Sequence, residues 1–236
     1  MTTIIGIEAK KDNSVILASD LSATRTSWTP RGDIAYRRQT KEEAQKINVN
    51  QSRTVALASA GTVDKDYLDF LEGVVKGDIN IEQAIKDGEF RELADMNLKR
   101  WEGRLPNDDI SSFLTAVRFN RNPQLYTCWP LGKIEQRPFT AIGSGSEYAL
   151  QHLTRYGEHI YRGMGLTDCL DITVAGLDEA SRDIYTAGLD LVVVTPDQIY
   201  EFGSDIKSAI DSAKKRTISR IKKSFSKAKV KESNEQ

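Results

Sequence analysis

The chain has 236 residues, of which 39% are hydrophobic and 28% charged, and its formal net charge is −1. Such a chain can bury a sizeable core without disulfides or metals, and its two cysteines, Cys128 and Cys169, have no ligand spacing, which argues against a disulfide framework or a zinc site. No stretch approaches the roughly 18 apolar residues of a membrane span, and the start has neither the basic nor the apolar region of a signal peptide. We therefore expect a cytoplasmic protein that needs no cofactor.

The first predicted elements are strands. Apolar runs at residues 3–9 and 14–20, separated by the turn sequence KKDN, predict a β-hairpin. Residues 21–42 are polar and include a proline and a glycine, which predicts a long loop. A second pair of strands is then predicted at 46–49 and 54–60.

The rest of the chain alternates helices with hairpins. Apolar residues recur at helical spacing over 62–77 and 80–101, which predicts two helices. The later predictions, in chain order, are strands at 111–119 and 124–130, an extended piece at 137–143, helices at roughly 146–162 and 167–181, a hairpin formed by 189–196 and 198–203, and a long helix from near Ser204. Paired helices and hairpins predict an α+β fold, a four-layer αββα sandwich of two antiparallel sheets between helix layers.

Charge is unevenly distributed along the chain. Residues 214–231 hold nine lysines or arginines and no acid, which leaves 24 basic against 34 acidic residues elsewhere. This basic segment is either a solvated helix end or a docking segment for an acidic partner or another subunit. Phe225 is its only aromatic residue, so the pattern does not favour nucleic-acid binding.

Thr2 is the first residue that could carry chemistry. Methionine is readily removed before a small residue, and removal of Met1 would place a free α-amino group on the same residue as the hydroxyl. The ordinary pKa of an α-amino group is about 8, so part of it is neutral near pH 7 and can take the hydroxyl proton. By itself the pattern does not identify a nucleophile, since many proteins begin with Met-Thr.

Motifs along most of the chain resemble those of proteasome β-type subunits, which are N-terminal-nucleophile hydrolases. TIIGIEAKKDNSVILASDLSATR near the start resembles their first strand–turn–strand passage, and AQKI (44–47) resembles their lysine-bearing strand. Later matches are ALASAGTVDKDYL (56–68), AIGSGSEYAL (141–150) and SRDIYTAGLDLVVVTPDQIYEF (181–202). The resemblance covers residues 2–205 and implies one hydrolase domain there, followed by a C-terminal helix and basic tail over 206–236.

The resemblance also implies roles for individual residues. Thr2 would be the nucleophile, and Lys46, held by Asp20, would lower the pKa of its amine and hydroxyl. Three residues would orient the terminal amine: Ser144, Asp183 and Thr186. The backbone N–H of Gly61 would face the developing oxyanion. Substrate would bind along Thr24, Ala60 and Gly61.

Some of these positions keep alternatives. Lys41 is a rival to Lys46, because the segment after Asp20 is longer than the resemblance implies. Ser144 would also suit a helix N-cap, and Thr186 replaces the serine of the family. The 21–42 segment is either a solvated insertion, or five of its residues narrow the substrate groove or bind a neighbouring subunit: Trp28, Arg31, Tyr36, Arg37 and Arg38.

Three functions are compatible with this pattern. The first is a threonine-type endopeptidase that cleaves polypeptides through an acyl-enzyme, enclosed in a homo-oligomeric ring with α-type subunits or an ATPase as further partners. The second is a peptide transferase or ligase that uses the same nucleophile and passes the acyl group to an amine. The third is a non-catalytic structural subunit, which has no need of the combination of Thr2, Asp20, Lys46 and Ser144.

Overall fold

The fold is built mainly from antiparallel strands. The computed structural model describes residues 3–31, 34–43, 46–61, 72–81, 83, 112–128, 134–180 and 189–202. The strands are β1 (Thr3–Ala9), β2 (Ser14–Ser19), β3 (Ser22–Arg31), β4 (Ile34–Glu43), β5 (Ile47–Val49), β6 (Val55–Ala60), β7 (Ser112–Phe119), β8 (Asn122–Cys128), β9 (Ile134–Gln136), β10 (Phe139–Gly143), β11 (Asp190–Val194) and β12 (Ile199–Phe202). A 3₁₀ turn (Lys10–Asp12) joins β1 to β2, and the helices with assigned bounds are α1 (Ser146–Thr154), α2 (Gly157–Gly163) and α3 (Leu166–Ala180).

Ten of the strands form two five-stranded antiparallel sheets. The first sheet has the order β10-β1-β2-β11-β12, and the second has the order β5-β6-β7-β8-β9. Helices α1 and α3 pack against β1 of the first sheet. These features confirm the α+β class with two antiparallel sheets. Apart from a helical stretch at 72–76, the helices predicted at 62–77, 80–101 and from Ser204 lie almost entirely outside the described residues.

Two hydrophobic cores lie on the two faces of the first sheet. Successive residues of a strand point to opposite faces, and β1 is apolar on both: Ile5 and Ile7 belong to the core under the helices, and Ile4 belongs to the core between the sheets. All three are completely buried, and each contributes roughly 1.5–3 kcal/mol through burial. β1 is therefore fixed between two packed layers.

The segment predicted as a long loop is a β-hairpin, so that prediction is wrong. β3 and β4 form their own two-stranded sheet, in a register that runs from Ser22 opposite Glu43 to Arg31 opposite Ile34. The sequence is polar, but it is rich in threonine and aromatic residues, which favour extended backbone. Pro30 does not prevent pairing, because a two-stranded ribbon consists of edge strands and these tolerate proline.

Two smaller differences concern the second half of the chain. The helix predicted over 146–162 is two helices, because the N–H groups of Arg155 and Tyr156 bond to carbonyls three residues back and tighten the end of α1. Strand β9 was not predicted at all. The other predicted strands are confirmed to within a few residues.

Within the described part of the chain, no helix has both the length and the apolar character that crossing a bilayer requires.

His152 is a buried histidine in α1. It is 9% exposed and its ring lies 5.4 Å from that of Tyr156. Neither ring nitrogen has a hydrogen-bond partner among the described residues. Burial lowers the pKa of His152, the charge of Arg155 lowers it further, and Glu179 on α3 opposes both effects. The folded protein therefore favours the neutral imidazole.

His152→Leu is expected to reduce the loss of stability in mild acid. In the unfolded chain the imidazole titrates near its ordinary pKa of about 6.5, and in the folded protein below it, so the unfolded state binds more protons between the two values. The free energy of unfolding of the wild type should fall as the pH drops from about 6.5 through the lowered folded value, and should not change for this reason at higher pH. Urea titrations between about pH 7 and pH 5 measure the difference from the variant.

The control is Leu153→Ala, which removes buried volume from the same helix and no titratable group. Its difference from the wild type should not vary over this pH range. An equal acid-induced loss in the wild type and in His152→Leu would contradict the prediction.

Candidate active site

A buried ion pair joins two strands that belong to different sheets. Asp20 directly follows β2 of the first sheet, and Lys46 directly precedes β5 of the second. The Lys46 Nζ donates a 2.8 Å hydrogen bond to Asp20 Oδ2, and the two side chains are 8% and 0% exposed. Charges at this depth require partners, because leaving water is costly for an isolated ion. The fold therefore brings together two charged residues that are 26 positions apart in the sequence.

The surroundings of Lys46 weaken its hold on a proton. Burial lowers the pKa of the ammonium below its usual range, and the carboxylates of Asp20 and Asp190 oppose that shift. Lys46 is thus fixed by a carboxylate and is nearer to neutrality than a surface lysine. A lysine in this state suits a site where a proton is held or passed on.

The second oxygen of Asp20 holds the start of β1. Asp20 Oδ1 accepts a 2.6 Å hydrogen bond from the backbone N–H of Thr3, and the backbone N–H of Asp20 donates to the Thr3 carbonyl at 3.1 Å. Thr3 is completely buried. One carboxylate therefore connects the first described residue of the chain to Lys46.

The side chain of Thr3 connects β1 to the start of α1. Its Oγ1 accepts a 3.1 Å hydrogen bond from the backbone N–H of Gly145, which occupies the N-cap position of the helix. A Cβ at Gly145 would overlap Thr3 Oγ1 and lie 3.1 Å from the Ala180 Cβ. A glycine at this position leaves room for the Thr3 hydroxyl and for Ala180.

Ser144 precedes this glycine and is exposed to solvent. Helix α1 begins at Ser146, with Gly145 as its N-cap and without a side-chain capping bond. The alternative in which Ser144 caps the helix is therefore wrong. Ser144 directly precedes Gly145, whose N–H bonds to Thr3, so it lies one residue from that contact.

A second buried carboxylate lies beside Lys46. Asp190, the first residue of β11, is 4% exposed, and its Oδ2 accepts a 3.3 Å hydrogen bond from the N–H of Ile47. Burial raises the pKa of this carboxyl, and hydrogen bonds from the backbone N–H groups of Ile47, Lys46 and Leu191 oppose the rise. Asp190 pairs with Ser19 on the neighbouring strand β2. It therefore lies directly beside the residue that precedes Asp20.

The residues predicted to line a substrate groove lie on two elements. Ala60 is buried at the end of β6, and Gly61 follows it with a φ of 120°, a conformation that favours glycine. Because Ile47 pairs with Ala58 in antiparallel register, Ala60 lies at the same end of the second sheet as Lys46. Thr24 lies on β3, opposite Lys41 on β4.

Three of the predicted site residues, Thr2, Asp183 and Thr186, lie outside the described residues, and their roles stay predictions. Two residues at the site, Thr3 and Asp190, were not predicted. Thr3 gave no signal, because threonine is common in ordinary strands. Asp190 did give one, since a carboxylate that opens the apolar run DLVVV has to be compensated when the strand is buried.

Comparisons with known proteins identify the family of this chain. The family model described as Proteasome subunit matches residues 87–194. Proteasome subunit beta 1 of Thermococcus gammatolerans is 33% identical over 212 residues, which cover 87% of this chain and 95% of the relative. Proteasome subunit beta 2 of Pyrococcus furiosus is 27% identical over 215 residues, which cover 89% and 95%. From these matches and the fold that carries the Lys46–Asp20 pair, the chain belongs to the proteasome β-subunit family.

Proposed function

We propose that the protein is a threonine-type endopeptidase whose nucleophile is Thr2 after removal of Met1. The observation that carries this proposal is the buried Lys46–Asp20 pair at the start of β1. Asp20 accepts a hydrogen bond from the Thr3 nitrogen, and that nitrogen is covalently bonded to the carbonyl carbon of Thr2. The proposed nucleophile and the lysine with the lowered pKa are therefore tied to the same carboxylate.

The proposed reaction passes through an ester. The α-amino group of Thr2 takes the hydroxyl proton while the oxygen attacks the peptide carbonyl, and the backbone N–H of Gly61 stabilises the oxyanion. The C–N bond then breaks, and the amine product leaves with that proton. Water hydrolyses the ester, which releases the carboxylate product and restores the hydroxyl. The positive charge of Lys46 favours the deprotonated hydroxyl.

The remaining predicted residues have supporting roles in this proposal. Ser144, Asp183 and Thr186 orient the terminal amine, and Thr24 and Ala60 line the path of the substrate. We also propose a homo-oligomeric ring in the cytoplasm, with α-type subunits or an ATPase controlling the entry of polypeptides. The names of the relatives, proteasome subunit beta 1 and beta 2, support assembly with other subunits.

A peptide epoxyketone is expected to add one inhibitor mass to a wild-type chain that has lost Met1. The reagent reacts with both the hydroxyl and the free amine of an N-terminal threonine, so the adduct reports both groups at once. Intact mass spectrometry of the natively expressed protein, before and after incubation, measures the two events. Thr2→Ala is the control, since it also presents a small second residue but has no hydroxyl to react.

A wild-type chain that keeps Met1 and forms no adduct would contradict the proposal and would favour a non-catalytic subunit. If the adduct forms, product analysis with an added amine separates hydrolysis from transfer. Peptide joining in place of cleavage would identify a transferase or ligase that uses the same nucleophile.

A further inference from the structure

Asp190 is a buried acid that the proposed reaction does not use. Its Oδ2 accepts a 3.3 Å hydrogen bond from the backbone N–H of Ile47, and the backbone N–H groups of Lys46 and Leu191 also help to lower its pKa. Lys46 and Ile47 lie at the start of β5 of the second sheet, whereas Asp190 itself belongs to β11 of the first. The carboxylate therefore links the two sheets beside the backbone of Lys46.

The backbone at Lys46 lies at the edge of its sheet. β5 has three residues, Ile47–Val49, and among the described strands it pairs with β6. Lys46 precedes the first paired residue of this strand. A lysine side chain has four rotatable carbons, so the position of its ammonium depends on a fixed Cα. An anchor on the adjacent N–H groups supplies that fixed point.

The negative charge of Asp190 also helps to hold Lys46 in place. The carboxylate is close enough to attract the Lys46 ammonium and to oppose the effect of burial on it. Lys46 thus lies between two buried carboxylates, Asp20 at its Nζ and Asp190 at the backbone N–H of the next residue, Ile47. Removing Asp20 should loosen the ammonium of Lys46, and removing Asp190 should loosen the backbone beside it.

We propose that Asp190 is a positioning residue that clamps the backbone of Lys46 and Ile47 and thereby keeps the ammonium on Asp20. The inference rests on the proposed function, because its kinetic readout is the reactivity of Thr2. It adds to that function a residue that acts through Lys46 and contacts no substrate.

The test compares the rate of epoxyketone adduct formation in the wild type, Asp190→Asn and Asp190→Ala over a range of pH. Asp190→Ala removes both the acceptor and the charge, and should slow the reaction by up to about 100-fold, as misplacement of a group by about 1 Å can. Asp190→Asn keeps one acceptor oxygen and loses the charge, so it should fold like the wild type. The rate of adduct formation should change with pH around a midpoint set by the pKa of Lys46. In Asp190→Asn this midpoint should move to lower pH, because the ammonium loses a stabilising carboxylate.

Asp12 offers a control at the opposite end of β1. Its Oδ2 also accepts a hydrogen bond from a backbone N–H, that of Leu166 at the start of α3. Asp12 is exposed, unlike Asp190. Asp12→Asn and Asp12→Ala remove a carboxylate far from Lys46, and should leave the rate and the pH midpoint unchanged. Wild-type rate and midpoint in both Asp190 variants would overturn the proposal.

Amide hydrogen exchange gives a readout that does not depend on activity. The N–H group of Ile47 should exchange faster in Asp190→Ala than in the wild type or Asp12→Ala, because it loses its acceptor. If the wild type forms no adduct, the proposed function fails, and the exchange measurement still tests the clamp. Unchanged exchange at Ile47 would overturn the clamp even if the enzyme is active.

Discussion

Lys46→Met is expected to lower the free energy of unfolding by about 3–5 kcal/mol and to abolish epoxyketone adduct formation. The substitution leaves the completely buried Asp20 carboxylate without its ion-pair partner. Removing one partner of a buried pair costs about 3–5 kcal/mol, because the remaining charge is uncompensated. Urea denaturation measures the stability, and intact mass spectrometry measures the adduct.

Two further variants test the cause of this loss. Asp20→Asn in the Lys46→Met background should regain stability, because a neutral amide needs no counter-charge and its oxygen can still accept the Thr3 N–H. Lys76→Met breaks an exposed pair with Glu72 and should leave the denaturation midpoint unchanged. If Lys46→Met has the same free energy of unfolding as the wild type, the ion pair does not stabilise the fold.

Gly145→Ala is expected to lower the free energy of unfolding by about 1–3 kcal/mol, the usual cost of an extra methyl in a well-packed site. The backbone angles of Gly145, φ −92° and ψ 7°, are open to alanine, so the cost is steric. The added methyl would overlap Thr3 Oγ1 and press on Ala180. Because Thr3 follows the proposed nucleophile directly, the adduct should also form more slowly.

Gly157→Ala is the matched control for this substitution. A methyl there would lie 3.5 Å from the nearest atom, in the Phe139 ring, which is an ordinary contact. We expect no loss of stability in this variant. Thr3→Ala in the Gly145→Ala background should restore part of the stability, because it removes the overlapping hydroxyl. Equal stability of Gly145→Ala and Gly157→Ala would contradict the steric explanation.

The sequence predicted the elements whose signal is local. The runs at 3–9 and 14–20 are apolar on both faces, so they read as buried strands, and they form β1 and β2 as expected. The hairpin at 22–43 was missed because a ribbon outside the main sheets lacks the apolar face on which strand prediction depends. Asp190 was missed for a different reason: the N–H group that bonds to its Oδ2 belongs to Ile47, which is 143 positions away.

The choice between Lys41 and Lys46 could not be made from spacing. A count of residues from Asp20 gives a distance only if the path of the intervening chain is known, and the polar composition of 21–42 did not reveal that path. The structure pairs Lys46 with Asp20. Local patterns therefore located the strands, and the long-range pairing of charges required the fold.

The hairpin formed by β3 and β4 has a consequence for how this family can vary. The first pair of the hairpin, nearest to Asp20, is Ser22 opposite Glu43. The chain therefore returns to the neighbourhood of Asp20 whatever the length of the hairpin. Cross-strand pairs can be added or removed at the tip while the separation of Asp20 and Lys46 stays the same. The outer part of the hairpin is therefore free to diverge, and insertions there can alter what the protein contacts without disturbing the ion pair.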